Sequence, residues 1–357
     1  MLTPSLKHLY QNHKDKVSDK WTSYIEKYEE LFSPYRDKEI SLLEIGVQSG
    51  GSLEIYAKYF QRAKALIGCD IDELCAGLEY ENSCISIVIG DANSEESERK
   101  ILDISSAFDV IVDDGSHHSK DIISSFSRYF KRLKLDGTYI IEDLHCSYWE
   151  QFGGGLLKAT SANSFFKLLS DIINHEHWGI DKRRIDLLEN FSKQYSIDFD
   201  EDVLAQIHAI TFINSMCIIQ KKKKALNELS TRFVAGSQEL DCGGRKELHG
   251  KGIITPPQRD NFWAEAVSME KIVNVQNQRI TRLETELKEK DAKASQIETI
   301  LEEKSAQVED LERRLRSLVI EKESLSADIA MLLKSNSWKL TAPLRFIYHK
   351  FFDKSSN

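Results

Sequence analysis

Short apolar runs that end on acidic or glycine residues alternate with helical stretches over the first 222 residues. Ser41 to Ile45 reads as a strand. It runs into the loop Gly46-Val47-Gln48-Ser49-Gly50-Gly51 and then the helical pattern LEIYAKYFQRA. A second strand, Ala65 to Cys69, ends on Asp70, and a third, Cys84 to Ile89, ends on Gly90-Asp91. A fourth, Phe108 to Val112, ends on Asp113-Asp114-Gly115. A helix over Ile122 to Leu133 leads through Asp136-Gly137 into a strand Thr138 to Ile141, which ends on Glu142-Asp143. Strands alternating with helices predict an α/β fold with a parallel sheet covered on both faces. Ligands of such folds bind at the carboxyl ends of the strands, where the acidic residues fall. Ile207 to Ile213 and Met216 to Gln220 flank Asn214-Ser215 and predict an antiparallel hairpin that closes the sheet. Residues 151–205 are mostly helical and are expected to form an insert that caps the site.

Beyond residue 222 the pattern changes. Residues 223–261 carry lysines, Gly243-Gly244 and Pro256-Pro257, as a linker or extended loop would. Residues 262–335 contain neither Gly nor Pro. With a heptad register starting at Ala266, the a positions are Ala266, Val273, Ile280, Leu287, Ala294, Leu301, Val308, Leu315, Lys322 and Ile329. The d positions are Met269, Gln276, Leu283, Lys290, Ile297, Lys304, Leu311, Leu318, Leu325 and Leu332. Only Gln276, Lys290, Lys304 and Lys322 interrupt this seam, which predicts a long coiled coil and a homo-oligomer, dimer or trimer. Residues 336–357 mix aromatic and basic side chains, a composition suited to a membrane interface or a partner groove.

Charge removes one class of partner. With 57 acidic against 48 basic residues the net charge is -9, whereas a general nucleic-acid binder would be basic, so no nucleic-acid partner is expected. The six cysteines show no C-x-x-C pair and no zinc spacing, which fits a reducing compartment. No apolar run reaches the roughly 20 residues that span a bilayer. These features predict a cytoplasmic protein whose tail could lie on the inner membrane.

The glycine loop after the first strand is where a ligand can approach the backbone closely. LLEIGVQSGGS, with the terminal hairpin, resembles the class I S-adenosylmethionine-dependent methyltransferases, whose sheet is Rossmann-like. Under that resemblance Gly46 and Gly50 belong to the cofactor loop, with Gly46 letting the methionine end pass and Glu44 organising it. Asp70 accepts the ribose hydroxyls and Asp91 faces the adenine amine. A bare tight turn is one competing reading. An NAD-binding domain is another, but G-x-G-x-x-G is absent and a closing hairpin does not suit it.

Two further clusters sit on successive strand ends, Asp113-Asp114-Gly115-Ser116-His117-His118 and Glu142-Asp143-Leu144-His145. Adjacent strands lie about 4.8 Å apart, so the two ends can share one ion. Hard oxygen ligands favour magnesium over zinc. The stretch from LLEIGVQSGGS through VIVDDGSHH to YIIEDLHCSYW resembles the metal-dependent sugar O-methyltransferases of the mycinamicin and macrocin type, over about residues 10–220. That resemblance implies Asp114, Glu142 and Asp143 as metal ligands and His117 as general base. Cys146 stands where a small hydroxyl is usual, and His118 and His145 have no assigned role.

The expected activity is methylation of a sugar hydroxyl, with a divalent ion, expected to be Mg²⁺, lowering the cost of the developing alkoxide and a histidine accepting the proton. The rod and tail resemble those of bacterial surface-polysaccharide assembly. A glycan acceptor such as an O-antigen is therefore expected, together with termination of chain growth and a tail that meets glycosyltransferases or the inner membrane. Two alternatives stand beside this reading: an inactive scaffold that recruits glycosyltransferases, and an enzyme for a small-molecule glycoside.

Overall fold

The structure, a computed structural model, describes residues 4–239, 243–265 and 269–352. Cys242, Ala266 at the start of the heptad seam and residues 353–357 of the tail lie outside them. Seven strands form one sheet: β1 (Ser41–Ile45), β2 (Ala65–Asp70), β3 (Ile85–Ile89), β4 (Phe108–Asp113), β5 (Leu133–Ile141), β6 (Ile207–Ile213) and β7 (Met216–Lys221). Their order is β3-β2-β1-β4-β5-β7-β6. β1 to β5 are parallel, and β7 runs antiparallel between β5 and β6. The sheet therefore ends in the expected hairpin, with Ser215 taking the left-handed conformation of its turn.

Side chains alternate across the sheet with the two-residue period of a strand. Leu42, Val110, Val112 and Ile140 face one core, together with Tyr24, Tyr28, Phe32 and Tyr56. Those aromatics come from α2 (Thr22–Phe32) and α3 (Gly51–Tyr59), and α1 (Leu6–Gln11) adds Leu6. Leu43, Ile111 and Tyr139 face the other core, against α4 (Glu95–Ile104), α5 (Ser119–Tyr129) and α6 (Ala162–Ile173).

Three expectations shift. Asp136-Gly137 does not separate a helix from a strand. Asp136 sits at φ +64 and the register slips between Phe108 and Val110, so β5 passes through a bulge and begins at Leu133. α6, read as part of a capping insert, buries Phe165, Phe166 and Leu169 in the core beside Phe126 and Tyr139, and so belongs to the helical layer. The described parts of the segment, residues 223–239 and 243–261, fold back on their own unit. The Leu229 amide donates to Glu176 Oε1 at 2.7 Å, and the Gln258 amide donates to the Gly179 carbonyl at 2.8 Å.

The chain divides into two compact units, Met1–Ile272 and Val273–Asn357. The second is dominated by one helix, Met269–Lys334, of 66 residues and thus about 100 Å long. Its apolar seam residues Ile280, Leu287, Leu301, Leu311 and Leu325 are exposed in the single chain. Two short helices follow, Asn336–Leu340 and Ala342–Phe352, with the Arg345 guanidinium 3.5 Å from the centre of the Trp338 ring. Among the described residues no helix is long and apolar enough to cross a membrane.

Candidate active site

Strand register brings the site together. Ile45 of β1 pairs with Asp113 of β4, and Asp113 pairs with Ile141 of β5. One residue further on, Gly46, Asp114 and Glu142 leave the sheet side by side. The Asp114 amide donates to the Ile45 carbonyl at 2.8 Å, and the Glu142 amide donates to the Asp113 carbonyl at 2.9 Å. Between β1 and β4 the strand order reverses, which opens a crevice at their carboxyl ends.

A cavity of about 290 Å³ fills that crevice, lined by Gly46, Gln48, Asp70, Asp91, Asp114 and Ser116, among others. Gly46 is required twice over. Its φ is +88, and a Cβ there would lie 2.1 Å from the Asp114 carbonyl oxygen. Asp70 is committed to backbone. Its Oδ2 accepts from the Val47 and Gln48 amides at 2.7 and 2.9 Å, and its Oδ1 accepts from the Asp72 amide at 2.9 Å. Burial raises the Asp70 carboxyl, but these amides outweigh it and hold the group below its ordinary range. Asp91 takes the Asn93 amide at 2.8 Å. A wider cleft of about 690 Å³ between α5 and the segment Tyr195–Val203 shares Asp91, Asn93 and Asp121 with the first cavity. Gly50 lies apart from the cavity: it caps α3 in the left-handed conformation, against the Tyr80 hydroxyl.

On the other side of Asp114 the acidic groups converge. Ligand atoms of Asp114, His117 and Asp143 all lie within 4.8 Å of one another. His117 Nε2 is 3.8 Å from Asp143 Oδ2. Both residues sit in the left-handed region, at φ +58 and +52. Such strain costs roughly 1–3 kcal/mol per residue and gathers at functional sites. Glu142 points inward instead. It is 2% exposed, accepts from the Tyr28 hydroxyl, and lies 2.7 Å from Lys20 Nζ. Burial raises its carboxyl, Lys20 pulls it back and Asp114 pushes it up again, leaving it above the ordinary range. Asp113 is buried beneath the site, and burial pushes its carboxyl up to about 7.

The sequence reading missed the contribution of α2 and the segment before it. The Lys20 side chain is 3% exposed, and its Nζ lies 2.5 Å from Asp114, 2.7 Å from Glu142 and 3.5 Å from Glu44. Burial alone would lower its pKa, but the three carboxylates outweigh that and hold the ammonium above its ordinary range. Trp21 Nε1 donates to Asp143 Oδ1 at 3.0 Å, and the Tyr24 hydroxyl lies 3.0 Å from the same oxygen. Trp21, Tyr24 and Tyr28 fall three and four residues apart, the spacing of one helix face, and that periodicity was the available signal. Glu44 accepts from the Ser52 hydroxyl at 2.5 Å through Oε2, while its buried Oε1 has no hydrogen-bond partner.

Around this polar centre lies an aromatic rim. Trp21 is 59%, Tyr148 45% and Trp149 48% exposed. His145 stands edge-on between Trp21 and Trp149, at 6.2 and 5.1 Å, and Phe152 lies 5.3 Å from His118. The donor set suits a divalent cation: hard carboxylate oxygens and one imidazole lie within ligand range of each other.

The architecture is the Rossmann-like methyltransferase fold, with an acidic centre at the ends of β4 and β5. Comparison with known proteins narrows the kinship. The chain is 34% identical over 171 residues to the 8-demethyl-8-alpha-L-rhamnosyl tetracenomycin-C 2'-O-methyltransferase of Streptomyces olivaceus, across 45% of this chain and 44% of that protein. It is 31% identical over 182 residues to the demethylmacrocin O-methyltransferase of Streptomyces fradiae, across 47% and 45%. The MycE methyltransferase of the mycinamycin pathway, solved in complex with Mg, SAH and mycinamycin VI, superposes with a TM-score of 0.51 at 24% identity, over 62% of this chain and 55% of that one. Both curated relatives are O-methyltransferases, the first named for a rhamnosyl-bearing tetracenomycin, and the chain spans less than half of their length. No family model matches the chain.

Proposed function

We propose that the chain is an S-adenosylmethionine-dependent, metal-dependent O-methyltransferase that acts on a sugar hydroxyl. The observation that carries this reading is the adjacency of two half-sites on neighbouring strand ends. A cavity bordered by Gly46, Asp70 and Asp91 meets the cluster Asp114, His117 and Asp143. The tetracenomycin relative is named for a rhamnosyl-bearing molecule, and the rim of Trp21, Tyr148 and Trp149 suits the apolar face of a pyranose ring.

When bound, S-adenosylmethionine supplies an electrophilic methyl group. A divalent cation held by Asp114, Glu142 and Asp143 would stabilise negative charge on the acceptor hydroxyl. The remaining work belongs to the chain itself. Gly46 keeps the backbone open beside the cofactor cavity, and Glu44, buried behind that loop and held by Ser52 and Lys20, organises the cofactor's amino end. Gly50 supports this loop as the cap of α3. His117 Nε2 accepts the proton of the acceptor hydroxyl, and Asp143, itself tied by Trp21 and Tyr24, orients the imidazole. The aromatic rim positions the sugar and sheds water from it.

A second arrangement has support in the geometry. His117 lies within ligand range of Asp114 and Asp143, whereas Glu142 is turned to Lys20 and Tyr28. In that arrangement His117 is a ligand, and another group takes the proton.

The long helix with its exposed seam supports a coiled-coil homo-oligomer, dimer or trimer. The exposed Leu344, Phe346 and Ile347 of the tail, with Arg345 and Lys339, support reversible attachment to an anionic membrane surface or to glycosyltransferases there. We read the whole as a modifier of a bacterial surface polysaccharide such as an O-antigen, whose methylation ends chain growth. The test is transfer of labelled methyl from S-adenosylmethionine to a panel of rhamnosides and to extracted surface glycan, with Mg²⁺ or with excess EDTA. Undiminished transfer in EDTA would remove the metal. Transfer to free rhamnosides alone would favour a small-molecule glycoside, and no transfer to any acceptor would favour the scaffold.

A further inference from the structure

We propose that Lys20 is the resident cation of the acidic site: its ammonium and a divalent metal are alternative occupants of Asp114 and Glu142, and the segment from residue 12 to residue 20 moves aside when the metal enters. This rests on the metal-dependent reading above and adds to it a residue and a motion.

Three carboxylates from the ends of three different elements point at one nitrogen. Asp114 Oδ2 and Glu142 Oε1 are in direct contact with Lys20 Nζ, and Glu44 Oε1 stands 3.5 Å away. Such a cluster needs a compensating positive charge in a buried setting, and the ammonium provides one. A dication held by the same Asp114 and Glu142 oxygens would stand within a few ångströms of a fixed ammonium, and the two would repel in a water-poor site. The orientation of Glu142 agrees with exchange rather than sharing. Asp114, His117 and Asp143 already lie within ligand range of each other, while Glu142 is drawn away from them towards Lys20 and Tyr28. Releasing the ammonium frees Glu142 to complete the carboxylate set.

The segment is built to move. It joins α1 to α2 without helix or strand of its own. It is pinned at its middle by polar contacts rather than by a buried apolar side chain: Val17 is exposed. Lys16 Nζ lies 2.6 Å from Glu54 Oε1, and the Gly51 amide donates to the Val17 carbonyl at 3.1 Å. Gly51 has no side chain because a Cβ would strike the Lys16 carbonyl at 2.1 Å. Between the segment and the glycine loop lies a void of only about 20 Å³, bordered by Ser18, Lys20, Glu44, Gly46 and Asp114. Two buried polar atoms on its border, Ser18 Oγ and Glu44 Oε1, lack hydrogen-bond partners.

The experiment is hydrogen exchange on the full chain with and without Mn²⁺, paired with calorimetric Mn²⁺ titration of the wild type and Lys20→Met. Mn²⁺ should speed exchange at the Gly51 amide, whose acceptor is the Val17 carbonyl, and at the Lys16 amide, whose acceptor is Glu54. Lys20→Met should bind Mn²⁺ at least about tenfold more tightly, through loss of a competing charge. If Mn²⁺ binds the wild type while these amides stay equally or better protected, metal and ammonium are joint occupants and the exchange is wrong, with the metal reading intact. If neither protein takes up Mn²⁺, the metal reading itself falls, and the exchange falls with it. Should Lys20→Met fail to fold, the wild-type exchange pattern decides alone.

Discussion

Replacing Gly46 by alanine tests whether the site depends on the close approach of β1 and β4. The residue sits at φ +88, where an L side chain costs about 1–2 kcal/mol. The added Cβ would also lie 2.1 Å from the Asp114 carbonyl oxygen and 2.9 Å from the Gly115 Cα. Relief to ordinary contact needs a displacement on the order of 1 Å, because non-bonded carbon and oxygen atoms pack near the 3.5 Å separation of a normal contact. The atom that must yield is the backbone of Asp114, a proposed metal ligand. Sites of this kind tolerate about 0.5 Å, and a 1 Å misplacement can cost on the order of a hundredfold in rate. The conformational term alone should lower the melting temperature by roughly 2–8 °C, at about 2–4 °C per kcal/mol for a domain of this size. Scanning fluorimetry measures the melting shift, and calorimetric titration with S-adenosylhomocysteine and Mn²⁺ measures the site. Gly77→Ala is the control, since a Cβ there meets nothing within 4 Å. A Gly46→Ala protein that melts within 1 °C of the wild type and keeps both affinities would refute the argument.

Three more outcomes are expected. His117→Ala should keep Mn²⁺ affinity within about threefold and lose roughly 10²–10⁴-fold in turnover if the imidazole is the base; a parallel collapse of Mn²⁺ affinity would make it a ligand. Lys221 donates to the carbonyls of Phe130, Lys131 and Leu133 at 2.8–3.2 Å, and burial pulls its pKa down to about 8. The unfolded chain then holds more protons between about pH 8 and 10.5, so the wild type should gain stability over Lys221→Met as pH rises through that window, by up to about 1.4 kcal/mol per unit in urea melts; a constant difference from pH 7.5 to 10 would count against it. Leu311→Asp with Leu318→Asp should lower the mass seen by light scattering if the exposed seam makes the oligomer, and an unchanged mass would place the main contact elsewhere.

Much of the sheet could be read from the chain because a strand announces itself locally. Ser41–Ile45 matches its expected bounds, and β2, β3, β4 and β7 differ from theirs by one residue at an end. The acids that follow the strands were legible for the same reason: a parallel sheet aligns its carboxyl ends whatever the details of packing. The heptad seam of the long helix is likewise a local periodicity.

What the tertiary structure alone decided is which side chains the ends meet. Lys20 reaches Asp114 across 94 positions and Glu142 across 122, and no local pattern reports a contact over such distances. The same holds for Gly50, turned to Tyr80, for Glu142, drawn inward by Tyr28 and Lys20, and for Phe165 and Phe166, which place α6 in the core. Period and punctuation belong to a few consecutive residues and are written in them. The burial of an ammonium among three carboxylates depends on how separate elements pack, and only the folded chain brings those elements together.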